Sequence, residues 1–224
     1  MPRSGTLVIC VQNLDCSGAN QVVLNLVEGK MHEGNVVVLS PKSGPFAVKF
    51  LDQGASVRIG SVSNLLNDVK DIFCLICNTI MTANIVVEMA GEEFPTVWIL
   101  HEWWDDEMIK ESLRIRNYKD LTLETVKEAM KVASRVVCVC DSQKQLYHPD
   151  APSSVIFVGV PDPCKRLGTD ILPSNLPVGR KSNVFTFLCL GIICPRKNQL
   201  WTIRLFKAFA ADRQDVRLQI VGAR

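Results

Sequence analysis

The chain has 224 residues, 47% of them apolar and 21% charged, with a formal net charge of +2. That composition supports a packed core and excludes a disordered chain. The near-neutral balance excludes the strong positive field of a nucleic-acid binder, and the adjacent basic pairs at 165–166, 180–181 and 196–197 have no aromatic residues interleaved with them.

In chain order, Thr6 to Val11 is an apolar run of the kind a buried parallel strand needs. Asn13 to Ser17 is a polar turn. Gly18 to Met31 then carries Ala19, Val22, Val23, Leu26 and Val27 at helical spacing, and Gly34 is the expected stop. Val36 to Leu39 reads as a strand, Pro45 to Gln53 as a short helix, Ser56 to Ile59 as a strand and Ser63 to Lys70 as another short helix. Ile72 to Cys77 is a fourth strand, and Ile80 to Ala90 is a helix apolar on nearly all sides. Val97 to Leu100 is the fifth strand. Trp103 to Lys119 is polar and reads as irregular, with a helical turn or two at most. A clear amphipathic helix runs from Leu121 to Ala133, followed by strand Arg135 to Val139, short helix Ser142 to Tyr147 and strand Ser154 to Val158.

Pro161 to Asn183 holds four prolines and two glycines without periodicity, which is linker composition. After it the pattern restarts with strand Val184 to Leu190, helix Lys197 to Ala211 and strand Arg217 to Val221. Alternating strands and helices imply a parallel sheet with helices on both faces. The expected division is a Rossmann-like domain over residues 1–162, a linker over 163–183 and one βαβ unit of a second such domain over 184–224. One βαβ unit is too little for an independent core.

The nine cysteines fall mostly within apolar runs, and no Asn-x-Ser/Thr sequon is present. Cys74 and Cys77 have the spacing of a metal or redox pair. Inside a strand, however, their side chains point to opposite faces, so they read as reduced core thiols. No run approaches the ~18 apolar residues of a membrane span, and no signal peptide is legible after Arg3. A cytoplasmic location is expected, with peripheral attachment to a membrane left open.

In an open α/β sheet, ligands bind at the carboxyl ends of the strands. Candidate residues collect there: Ser17, Gly18 and Ala19 after the first strand, Asn78 and Thr79 after the fourth, His101 and Glu102 after the fifth, Asp141 and Ser142 after the sixth. Asn78, Thr79, Asp141 and Ser142 read equally well as helix caps. The Ser17-Gly18 loop is either a plain turn or a place where backbone N–H groups approach a phosphate or sugar. Glu102, Asp105, Asp106 and Glu107 are a solvated loop or, with His101, a metal chelate, and the first of these is the expected reading. Trp103 and Trp104 either plug the domain or line a sugar-binding surface. A dinucleotide site is disfavoured, because the first turn lacks Gly-x-Gly-x-x-Gly and the second strand ends in Leu39-Ser40-Pro41, without an acid for a ribose.

Several segments, in order, resemble the group 1 (family four) retaining glycosyltransferases of the GT-B fold. Ser17 to Leu26 is similar to that family's Gly-Gly-Ala loop and first helix. Trp98 to His101 resembles its strand ending in an active-site histidine, and Val136 to Ser142 its strand ending in serine. Val155 to Pro161 is similar to the segment leading to its Asn-Gly-Val-Asp. Phe187 to Gly191, Pro195 to Gln199 and Gln219 to Gly222 resemble the start of its nucleotide-sugar-binding domain.

The resemblance implies transfer of a sugar, with retention, from a nucleotide-sugar such as a UDP- or GDP-sugar to a glycan, lipid-linked or protein-linked acceptor. It implies no metal or organic cofactor. His101 is then the catalytic residue, and Ser17, Gly18, Ala19, Asn78, Glu102 and Ser142 bind substrate. Gly191, Arg196 and Lys197 hold the donor diphosphate. Three departures stand out: Ser17 replaces the first loop glycine, Ile192 replaces an arginine, and the family's Glu-x₇-Glu segment is not in the chain. A catalytically inactive, truncated binding module is the alternative expectation.

Overall fold

The computed structural model describes residues 5–29, 33–115, 118, 121–157, 184–194 and 197–222. The chain divides into two compact units, Met1–Gly159 and Val160–Arg224. The expected linker and the expected boundary at residue 162 lie outside the described residues.

In the first unit, seven strands form one parallel sheet: β1 (Thr6–Cys10), β2 (Asn35–Ser40), β3 (Ser56–Ile59), β4 (Ile72–Asn78), β5 (Thr96–Leu100), β6 (Arg135–Cys138) and β7 (Ser153–Val155), in the order β3-β2-β1-β4-β5-β6-β7. The helices are α1 (Gly18–Glu28), α2 (Phe46–Asp52), α3 (Val62–Asn67), a 3₁₀ turn (Ile80–Thr82) leading into α4 (Ala83–Glu88), α5 (Asp106–Ile115), α6 (Leu123–Val132) and α7 (Asp141–Tyr147). This is the α/β, Rossmann-like architecture expected from the alternating pattern. The strand order reverses between β1 and β4, which opens a crevice at their carboxyl ends.

Strand alternation divides the core between the two faces. Leu7, Ile9 and Val11 pack with Val23, Leu24, Phe46 and Phe50 from the α1 and α2 side. Val8, Cys10, Leu75, Trp98, Leu100 and Val136 pack with Ile85, Ile109, Val126 and Met130 on the other. Cys74 belongs to the first cluster and Cys77 to the second, so the pair straddles the sheet. Burial pushes the Cys74 thiol up to about 11 and raises Cys77 as well. These are inert core groups.

Three elements differ from expectation. The irregular segment is short, residues 101–105, and α5 follows it as a ten-residue helix. Its apolar stripe is only Ile109 and Leu113, too narrow to stand out in sequence. The ends hold it instead: Asp105 Oδ1 accepts from Met108 N at 2.8 Å, and Asp106 and Glu107 sit at the positive end of the helix. The first helix stops at Glu28, capped by Gly29, whose N–H reaches Asn25 O, so Gly34 is not its terminus. The helix after β4 opens as a 3₁₀ turn because Thr79 bends the chain at φ 79°.

The second unit holds β8 (Phe185–Leu190), α8 (Gln199–Phe209) and β9 (Val216–Val221), the two strands pairing in parallel. Phe187 on β8 meets Phe206 and Phe209 of α8 edge to face, which docks the helix on the sheet. Trp201, Leu205 and Phe209 remain exposed at 55%, 64% and 45%, as expected for so small a core.

Candidate functional site

The site is built from the carboxyl ends of β1, β4, β5 and β6. Ser17 caps α1, its Oγ accepting from Asn20 N at 3.2 Å. Buried Asn20 holds the loop before it by donating from Nδ2 to Asn13 O and Asp15 O, at 2.9 and 2.8 Å. Gly18 and Ala19 are therefore the first residues of a helix whose opening turn carries no acid, an arrangement that favours an approaching anion. A side chain on Gly18 would meet nothing within 4 Å, so the loop faces open space there.

Asn78 ends β4, fully buried. Its Nδ2 donates to Ala19 O at 3.3 Å, and its Oδ1 lies 2.8 Å from His101 Nε2. With the amide oriented by Ala19, His101 Nε2 must donate, and Nδ1 is left as the ring's acceptor. Burial lowers the His101 pKa to about 4, so the ring is neutral at physiological pH. Ala19, Asn78 and His101, three residues expected at this edge, are thus joined in one hydrogen-bonded chain across three elements.

The backbone after β5 is tightly held. Glu102 Oε2 accepts from Ile80 N at 3.0 Å and His101 N at 3.2 Å. Its carboxylate thus closes the start of the 3₁₀ turn and fixes the histidine. Glu102 O accepts from Gln143 Nε2 at 2.6 Å and Tyr147 OH at 2.9 Å. Gln143 Oε1 accepts from Val139 N at 2.7 Å, tying the end of β6 to the end of β5. Tyr147 OH also accepts from Trp104 N at 3.2 Å, so the peptides on both sides of Trp103 are clamped. Trp103 itself is 55% exposed.

Thr79, beside Asn78, combines φ 79° with ψ 160°, a region almost confined to glycine. It is held there by Thr79 N donating to Ile99 O and by Trp98 Nε1 donating to Thr79 O, at 2.9 and 2.8 Å. Thr79 is a side-chain cap, accepting from Met81 N at 3.2 Å. Ser142, by contrast, is exposed within the first turn of α7, and the N-cap position belongs to Cys140. Ser142 is linked to the network only through its neighbour Gln143.

The acid cluster is engaged locally. Asp105 caps α5, Asp106 pairs with Lys127 and Glu107 pairs with Lys110.

At the reversal of strand order lies a cleft of ≈390 Å³. It is lined by Val11 and Gln12 after β1, Ser61, Ser63, Asn84 and Tyr118, among others. Gln12 Nε2 donates to Tyr118 OH at 2.7 Å across it. None of these residues stood out in sequence. Gln12, two residues past β1, is the one whose position near a strand end could have marked it. Gly44 was also missed: a side chain there would lie 2.3 Å from Leu14 O, so glycine is what lets the loop after β2 pass against the loop after β1.

In the second unit, Gly191 follows β8 at φ 139°, which favours glycine, and the stem of exposed Lys197 passes beside it, with Cε 3.8 Å from where a Cβ would stand. Gly222 follows β9 so close to Gly191 that a Cβ would lie 1.8 Å from Gly191 O. Buried Gln199 braces this turn by donating to Ile192 O at 2.8 Å. Gly191 and Lys197 are therefore together at the carboxyl edge of the two-stranded sheet. Arg196 lies outside the described residues.

No family model matches the sequence, and no curated protein matches it. Solved structures are similar in fold. A crystal structure of Anabaena Alr3699/HepE in complex with UDP and glucose matches with a TM-score of 0.61 at 13% identity, covering 98% of this chain and 70% of that one. A glycosyltransferase from Rickettsia africae matches with a TM-score of 0.55 at 13% identity, covering 99% and 69%. The calicheamicin glycosyltransferase CalG4 matches with a TM-score of 0.54 at 11% identity, covering 98% and 66%. At these identities the likeness is one of fold, and the fold is the one these glycosyltransferases share. Among the described residues, no helix is long and apolar enough to cross a membrane.

Proposed function

We propose that the chain is a retaining glycosyltransferase of the family-four type, moving a sugar from a nucleotide-sugar to a hydroxyl acceptor. The observation that carries this reading is the chain from Ala19 through Asn78 to His101, which sets a neutral, oriented imidazole beside an acid-free helix N-terminus. The UDP and glucose bound by the HepE crystal structure, similar in fold, agree with such a donor.

On this reading the acceptor oxygen approaches the anomeric carbon on the face from which the diphosphate leaves, and the acceptor's proton passes to a leaving phosphate oxygen. His101 does not titrate in that step. It is a fixed hydrogen-bonding partner for the transferred sugar, with Nε2–H held by Asn78 and Nδ1 free to accept a hydroxyl. Gly18 and Ala19 offer helix-terminal amides. The resemblance adds Lys197, beside the Gly191 turn, and Arg196 as the residues that neutralise the departing diphosphate. The reading requires no metal or organic cofactor and places the activity in the cytoplasm or at a membrane surface.

The test is release of nucleoside diphosphate from UDP- and GDP-sugars. His101→Ala is expected to lower turnover by about 10²-fold, the usual effect of removing one preorganised donor or acceptor. Turnover unchanged in His101→Ala would overturn the assignment. A second reading, a non-catalytic binding module, is favoured by Ile192, exposed at 56% where the resemblance has an arginine. Binding of an acceptor with no turnover of any nucleotide-sugar would select it.

A further inference from the structure

The cleft at the β1–β4 reversal has a chemistry of its own. Its volume, ≈390 Å³, falls within the roughly 300–1,000 Å³ of small-molecule sites. Among the described residues its lining contains no Asp, Glu, Lys, Arg or His. The polar groups are amides and hydroxyls, chiefly Gln12, Ser61, Asn84 and Tyr118, and between them stand apolar side chains such as Val11 and Leu121. Gln12 is oriented by its bond to Tyr118 OH, which leaves its Oε1 as an acceptor and its second N–H as a donor. A carboxylate is tied to the described wall: Ser63 donates to Glu88 Oε2 at 2.5 Å.

A phosphate or carboxylate seated against the described wall would lose its hydration and gain no cation from it. A ring with hydroxyls on its edge and an apolar face would lose little and fill both kinds of lining. We infer that this cleft seats the acceptor, and that it selects an uncharged hydroxyl compound with an apolar face, a neutral glycoside or hydroxylated aglycone, over a phosphorylated isoprenoid carrier. The word acceptor rests on the glycosyltransferase reading, whereas the binding preference does not.

The experiment is a ligand-observed NMR titration of the full chain. The probes are the neutral phenyl glycosides of glucose, galactose, mannose and N-acetylglucosamine, set against farnesyl phosphate and glucose 6-phosphate. At least one phenyl glycoside is expected to bind, and both phosphates to bind at least about tenfold more weakly. Gln12→Ala and Asn84→Asp are each expected to weaken the glycoside about tenfold, the scale of one lost hydrogen bond. Asn84→Lys should shift preference toward glucose 6-phosphate. Circular dichroism confirms folding, since neither side chain is buried in the core.

Binding of farnesyl phosphate more tightly than every glycoside overturns the inference. So does binding of no glycoside at all, or glycoside binding that all three variants leave unchanged. Nucleotide-sugar turnover that persists while the cleft variants change nothing rejects the cleft alone. A bound glycoside, sensitive to these variants, with no turnover from any donor rejects the glycosyltransferase reading alone.

Discussion

His101 is buried enough that its imidazole is held neutral by the protein, with a pKa of about 4 against 6.5 for the free side chain. The sign of the consequence follows from the shift. Between those values the unfolded chain takes up a proton that the folded chain refuses, so stability is lost as pH falls from 6.5 towards 4. Between pH 7.5 and 4.5 the histidine should account for roughly 2–3 kcal/mol of lost stability. Urea unfolding at the two pH values, for the natural chain and for His101→Gln, measures it. Equal losses in the two proteins would show that His101 is not the group responsible. At this scale His101, Asn78 and Glu102 were legible because each directly follows or ends an apolar strand. Gln143 and the positive φ of Thr79 were not. A glutamine in a polar helix shows no sign of burial, and the backbone angle of Thr79 is imposed by bonds to Ile99 and Trp98, distant in sequence.

Among the elements, the stretch from His101 to Asp105 and the helix α5 are the places where periodicity failed. The stretch has no secondary structure, yet side chains from α7 hold it. Tyr147 makes two of those bonds, to Glu102 O and Trp104 N, and burial pushes its phenol up to about 12, so it stays protonated as a donor. Tyr147→Phe removes both bonds while keeping the ring. It is expected to cost about 1–3 kcal/mol and to speed hydrogen exchange at the Trp104 amide, with α1 unaffected. Unchanged exchange at that amide would mean the clamp does not hold the segment. The helix α5 stays folded because Ile109 and Leu113 dock into the core beside Val126 and Met130. Its exposed pairs, Lys110–Glu107 and Arg114–Glu111, add little.

For the whole molecule, the first unit buries both faces of its sheet and the second does not. Parallel strands are ordinarily covered on both sides, but Leu188 and Leu190 on β8 are exposed at 56% and 66%. With Trp201 and Leu205 on α8 they make apolar surface of the kind that drives association. The double variant Trp201→Lys, Leu205→Glu should raise soluble yield and lower binding of a hydrophobic dye, leaving the melting of the first unit unchanged. A lowered melting temperature for that unit would instead place these side chains in a packed interface.

The sequence alone determined that alternating apolar strands and amphipathic helices build a parallel α/β sheet, and that His101, Asn78 and the Gly18 loop arrive at its carboxyl edge. Local periodicity and strand ends carry that much, because a buried strand must be apolar along its length and polar where it leaves the core. Tertiary structure decided the rest. Which strand lies beside which, the hydrogen bonds joining Ala19 to Asn78 and His101, and the cleft beside β1 all depend on residues far apart in the chain. Only packing of the sheet brings Gln12 to Tyr118 and Gln143 to Glu102.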